Sequence, residues 1–223
     1  MSDGLISSVV IAPKSEHKAS IIWLHGLGDS GHGFSPIVPE LKLPDSLGIK
    51  FIFPHAPIQP VTINNGSKMR AWYDIKSLDF DSRADIDGVK ESEQQIRALI
   101  EAEIASGIPA NKIMLIGFSQ GGVVALHTGT RYTQTLAGIV AMSTYMAEPD
   151  NLAHEKHSAN QDIPILCAHG QQDPVVPMYL GNVAFQTLLE NGYSAVWKQY
   201  VMQHNVCFAE IQDISAFIQQ YLA

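Results

Sequence analysis

The sequence predicts an α/β fold, a mostly parallel central sheet with helices packed on both faces. Three observations lead there. Short apolar runs alternate along the chain with helix-length segments of amphipathic period. The apolar runs are continuous more than alternating, the pattern of strands covered on both sides. With 46% apolar and 16% charged side chains, the 223 residues suffice for a sizeable core, expected as a single domain over 1–223.

Taken in order, SSVVIAP (7–13) reads as an outer strand and ASIIWLH (19–25) as the first central one. IKFIFPH (49–55), KIMLIGF (112–118), LAGIVAMS (136–143), IPILCAHG (163–170) and AVWKQYV (195–201) complete the strand set. Helices are expected over 85–106, 120–131, 178–191 and 207–221. In the first of these, Ile86, Val89, Ile96, Leu99, Ile100 and Ile104 fall near one face. Glu91, Glu93, Arg97, Glu101 and Glu103 lie elsewhere and read as a solvated surface. Gly107 and Pro109 stop that helix. The stretch 57–84 has no clear period. Its Met69, Trp72 and Tyr73 suit an ordered loop that covers something, or a surface connection whose Trp packs into the core.

Composition removes several classes of function. The formal net charge is −8 and the 14 basic residues are scattered, so the clustered cations of a nucleic-acid binder are missing. MSDGLISSVV has neither the basic nor the apolar region of a secretory signal, and no apolar run approaches a membrane span. Cys167 and Cys207 cannot make a disulfide framework and read as reduced thiols. A cytoplasmic protein without stable membrane insertion fits. His154 and His157 with Glu155 lack the H-E-x-x-H pattern, so no metal site is expected.

The sharpest motif is Gly117-Phe118-Ser119-Gln120-Gly121, a G-x-S-x-G between an expected strand and an expected helix. A strand that turns abruptly into a helix throws its apex side chain outward, and the flanking glycines relieve crowding there. The helix start supplies unsatisfied N–H groups and a positive dipole end. A serine N-cap would explain the serine but not the glycines. Ser119 is therefore the candidate nucleophile, and a serine hydroxyl needs a base and an orienting acid. The chain order expected on such a fold is Ser, then Asp or Glu, then His. Asp173 follows a strand in ILCAHGQQDPVVP, and His204 in YVMQHNVC is the one histidine beyond it. All three would lie in loops at the carboxyl edge of one sheet. Oxyanion donors are expected from the Gln120 N–H and from the early loop HGLGDSGHGF (25–34).

That early loop supports a rival. Gly26-Leu27-Gly28-Asp29-Ser30-Gly31 matches G-x-G-x-x-G after a strand, the pattern of an NAD-binding oxidoreductase. The acidic residue that should follow about 20 positions on is missing from FIFPHAPIQP. A second rival is a catalytically inactive hydrolase fold that serves as a binding protein.

WLHGLGDSGHGF, FPHAP, RAWYDI, GFSQGG, HGQQDPVVP and MQHNVC occur in this order along nearly the whole chain. Together they resemble the carboxylesterase/acyl-protein thioesterase family of α/β-hydrolases. The resemblance implies an α/β-hydrolase fold and a cofactor-free serine hydrolase of carboxylic esters or thioesters. Its substrates would be small acyl esters, S-acylated proteins or lysophospholipids. It maps the triad to Ser119, Asp173 and His204 and the oxyanion amides to Leu27 and Gln120. It places Trp72, Leu78 and Val176 along an acyl-binding groove and implies a weak homodimer. Two features depart from the family pattern: Gln203 stands where glycine is common before the base, and CFAEI replaces a version bearing proline and glutamate.

Overall fold

The computed structural model describes residues 4–77 and 84–223. In chain order the elements are β1 (Ser8–Ile11), β2 (Ala19–Leu24), α1 (Gly31–Phe34), β3 (Ile49–Pro54), β4 (Ile58–Val61) and β5 (Ser67–Arg70). Then come α2 (Ile86–Ala105), β6 (Ile113–Phe118), α3 (Gln120–Arg131), β7 (Gly138–Met142) and α4 (Leu152–Glu155). The chain closes with β8 (Ile165–Gly170), α5 (Met178–Glu190), β9 (Ala195–Tyr200) and α6 (Phe208–Leu222). Short 3-10 turns fill several of the connections.

The main sheet runs β1-β3-β2-β6-β7-β8-β9. All its pairings are parallel except β1 on β3, so the expected outer strand is the antiparallel edge. Alternate residues of each strand feed two cores. Ile22 and Leu24 of β2 point with Leu115 and Ile139 toward α2, α3 and α5. Ile21 and Trp23 point with Ile116 and Val140 toward α6 and the 3-10 turn over 35–41. Both faces are dry, which is why β2 and β8 are buried at every residue and read as continuous apolar runs.

Three expectations need correction. The 57–84 stretch is not all loop: β4 and β5 pair as an antiparallel hairpin. Asn65 and Gly66 in its turn have φ of 54° and 72°, a conformation that Asn-Gly adopts readily. The second correction is β9, an edge strand that alternates between packed Trp197 and exposed Val196. The third concerns α2, whose charged residues do not all face water. Glu93 and Glu103 are buried. Glu93 is held by Arg97 at 2.7 Å, and Glu103 by Lys50 and the Ser20 hydroxyl, both at 2.6 Å. A buried carboxylate that stays ionised needs such a partner.

Candidate active site

The site grows from one backbone strain. Ser119, between β6 and α3, has φ 54° and ψ −120°, a region that residues with a side chain rarely occupy. Its N–H remains in the sheet, donating to the Met142 carbonyl at 2.8 Å. Its carbonyl accepts from the Thr144 hydroxyl at 2.7 Å. The flanking glycines are steric requirements. A Cβ at Gly117 would stand 2.2 Å from the Gly121 carbonyl oxygen, and one at Gly121 would stand 2.5 Å from that of Leu24. Gly117 thus relieves crowding across the turn, whereas Gly121 lets α3 descend onto the end of β2.

Three loops at the carboxyl ends of β6, β8 and β9 bring Ser119, Asp173 and His204 together. His204 Nε2 lies 2.9 Å from Ser119 Oγ, and its Nδ1 lies 2.7 Å from Asp173 Oδ2. With Nδ1–H donating to the carboxylate, Nε2 faces the serine as an acceptor. The imidazole also packs on Phe118, ring centroids 4.8 Å apart, which fixes its plane. The Asp173 side chain is fully out of solvent. Burial alone would raise its pKa. The hydrogen bond from His204 and the N–H groups of Val176 and Val175, each 2.9 Å from Oδ1, more than offset that and hold the carboxyl below its ordinary value.

A further histidine supports the acid. His169, at the end of β8, donates from Nε2 to the Val176 carbonyl at 2.8 Å. Burial lowers its pKa, so it is a neutral tether for the turn that carries Asp173. Val176 completes a tight loop, giving its N–H to Asp173 and its carbonyl to His169.

Leu27 and Gln120 flank the serine from the other side. Gln120 is the first residue of α3, where the N–H has no acceptor within the helix. Among the described residues the Leu27 N–H has no acceptor either. The Leu27 loop is set by His25, whose Nδ1–H donates to the Gly26 carbonyl at 2.7 Å while Nε2 accepts from the Ala56 N–H at 3.1 Å. Gly28 turns the chain at φ 79°, and its N–H donates to the Arg70 carbonyl at 2.8 Å. A dinucleotide loop would feed a long helix. This one ends in the four-residue α1 and faces the serine, so the glycine pattern serves the cleft.

Leu27, Gln120, Val176, Ser119 and His204 all line one cleft of about 220 Å³. Trp72 does not. It is buried beneath, where its indole N–H donates to the His25 carbonyl at 2.9 Å and its backbone N–H to Gln120 Oε1 at 2.8 Å. Its carbonyl accepts from the Ser92 hydroxyl. Trp72 ties the loop that carries Leu27 to the start of α3 and touches the cleft only through them. Leu78 lies outside the described residues. Sequence reasoning missed the walls Tyr73, Ile75, Phe118 and Tyr145. It also missed the Gln120 side chain, whose Nε2 donates to the Tyr73 carbonyl at 2.7 Å. RAWYDI and GFSQGG hold four of these residues, but nothing in either motif says that they meet.

Comparison with known proteins follows the same lines. The phospholipase/carboxylesterase family model matches residues 6–222. Acyl-protein thioesterase 1 of Gibberella zeae is 37% identical over 231 residues, spanning 100% of this chain and 98% of that one. Acyl-protein thioesterase 1 of Yarrowia lipolytica is 39% identical over 218 residues, 96% of each chain. Among solved structures, acyl-protein thioesterase 2 of Zea mays superposes with a TM-score of 0.85 at 29% identity, covering 98% of this chain and 100% of its own.

Proposed function

The chain belongs to the phospholipase/carboxylesterase family and is a serine hydrolase of ester or thioester bonds, and on that premise we propose that Ser119, His204 and Asp173 carry out its chemistry. Ser119 Oγ attacks the acyl carbonyl while His204 Nε2 takes its proton. The Leu27 and Gln120 N–H groups receive the oxyanion. Protonated His204 gives its proton to the departing alcohol or thiol. Water, deprotonated by the same imidazole, then releases the acid from the acyl-enzyme. Asp173 holds the imidazole tautomer and offsets its transient charge. The observation that carries this reading is the unbroken pair of contacts, 2.9 Å and 2.7 Å, that joins the strained serine to a buried carboxylate through one imidazole.

The substrate class is the acyl ester or thioester, extending to S-acylated proteins, as the names of the fungal relatives suggest, and to lysophospholipids. Among the described residues no helix is long and apolar enough to cross a membrane, and the reading places the enzyme in the cytoplasm. It includes a weak homodimer that covers the cleft, where the cleft-lining Val175 is exposed. The test is intact-mass detection of a fluorophosphonate adduct. Wild type gains a single adduct, Ser119→Ala gains none, and Ser119→Ala and His204→Ala lose turnover by comparable orders of magnitude because the unit fails together. A folded wild type without an adduct would favour the inactive binding protein.

A further inference from the structure

His25, just past β2, is fully buried with both ring nitrogens engaged. The Ala56 N–H can meet only a lone pair, so Nε2 carries no proton and the single ring proton sits on Nδ1. That proton goes to the Gly26 carbonyl at 2.7 Å. Burial lowers the pKa of this imidazole and keeps it neutral. Trp72 packs on the ring at 5.3 Å between centroids and donates its indole N–H to the His25 carbonyl at 2.9 Å, so the residue is held at both its ring and its backbone.

The Gly26 carbonyl and the Leu27 N–H belong to one peptide unit. That unit is planar and trans, so its C=O and N–H point in opposite directions. Whatever holds the Gly26 oxygen therefore aims the Leu27 hydrogen. Two donors hold it, His25 Nδ1–H at 2.7 Å and the more distant Asp29 N–H at 3.3 Å. The unit also lies against the nucleophile: a Cβ at Gly26 would be 3.4 Å from Ser119 Cβ and 3.1 Å from Phe118 Cδ1. A hydrogen bond to the carbonyl polarises the peptide as well, which makes its N–H the stronger donor.

We propose that His25 is a positioning residue that aims the Leu27 N–H at the developing oxyanion, with its tautomer fixed by Ala56 of the FPHAP motif. The proposal rests on the hydrolase reading above and deepens it at that same site. It also gives FPHAP a role. The Ala56 N–H does for His25 what the Asp173 carboxylate does for His204, selecting which ring nitrogen carries the proton.

Two substitutions separate the bonds of the ring. His25→Asn keeps an N–H donor near the place of Nδ1 but offers nothing to Ala56. His25→Gln reaches Ala56 with its amide oxygen but leaves the Gly26 carbonyl without its side-chain donor. Steady-state kinetics on p-nitrophenyl butyrate should show kcat lost by about 10²–10³-fold in His25→Gln, the scale of one oxyanion donor, with KM within about twofold because the interaction belongs to the transition state. His25→Asn should recover about tenfold or more of that loss. A kcat near wild type in a cooperatively melting His25→Gln, or equal losses in the two variants, would overturn the proposal. Nitrogen NMR of wild type labelled at histidine reads the tautomer without any variant. A protonated Nδ1 and a bare Nε2 on His25 are expected near neutral pH, and the reverse tautomer or an imidazolium would overturn the proposal. A wild type that hydrolyses no ester and takes no fluorophosphonate would overturn the hydrolase reading, and this one with it.

Discussion

Asp173 accepts three hydrogen bonds at two oxygens, two from backbone and one from His204. The backbone pair fixes the carboxylate before it meets the imidazole. Replacing it with asparagine keeps the shape and the oxygen that accepts from the loop, but turns an amide NH₂ toward His204. The imidazole then takes the other tautomer, with Nε2 protonated against Ser119 and useless as a base. Asp173→Asn should therefore fold normally and lose turnover by about 10⁴. Steady-state kinetics on a short ester beside a thermal melt checks this, and a loss of only a few-fold would place the acid elsewhere. Asp173 was a candidate in the sequence because the role proposed for it imposes chain order and a place after a strand, and the structure sets it against His204. Trp72 was legible as a residue with a purpose but not as to which, because its partners His25 and Gln120 stand 47 and 48 residues away.

Helix α5 shows how an element without catalytic atoms controls the site. Gly181 lies against His169, and a Cβ there would come 2.2 Å from His169 Nδ1. The ring has little room to yield, since it is tethered to the Val176 carbonyl and packs on Trp197 at 5.9 Å between centroids. Gly181→Ala must displace either α5 or the imidazole, and the displaced imidazole takes Val176 and the Asp173 turn with it. Overpacking of this kind costs about 1–3 kcal/mol. A shift near 1 Å in a supporting group costs up to about 10²-fold in rate. Melting temperature and kcat/KM should fall together, and wild-type values for both would show that α5 is free to move. The major strands and helices follow their sequence periods closely, because parallel strands buried on both faces leave long unbroken apolar runs. The β4–β5 hairpin does not: its strands are short and half exposed, and only Asn65-Gly66 marks the turn. Buried Glu93 and Glu103 were illegible for a different reason. A helix period shows which residues share a face, but not that Arg97, Lys50 and Ser20 wait inside to receive a charge. Tyr73 and Tyr145 meet across 72 residues, a juxtaposition that only the closed fold creates.

Across the whole molecule, one buried carboxyl makes stability fall as pH rises. Glu210, in the first turn of α6, is completely out of solvent, and neither carboxylate oxygen has a well-formed partner among the described residues. Burial pushes its pKa up from 4.5 to about 8, against the pull of the Cys207 N–H and with some help from Asp213. The folded protein therefore keeps a proton that the unfolded chain releases at about 4.5. Between those values the native state binds more protons than the unfolded state, so stability falls as pH rises through the window from 4.5 to 8. Asp173 works in the opposite sense, because its folded carboxyl lies below the ordinary value and its contribution is lost as pH falls. Glu210→Gln keeps the shape and stays neutral at every pH. It should match wild type near the acidic end of the window and become the more stable protein toward and above pH 8. Each recovered 1 kcal/mol should raise the melting temperature by about 2–4 °C in a domain of this size. Melts of both proteins across the window decide it: parallel curves would mean that Glu210 ionises freely in the folded state. Glu210 lies in the first turn of the helix that follows His204, so a buried charge there also loosens the segment that carries that imidazole. The wild-type enzyme should consequently lose heat tolerance on the alkaline side before Glu210→Gln does, with residual ester hydrolysis after heating as the readout.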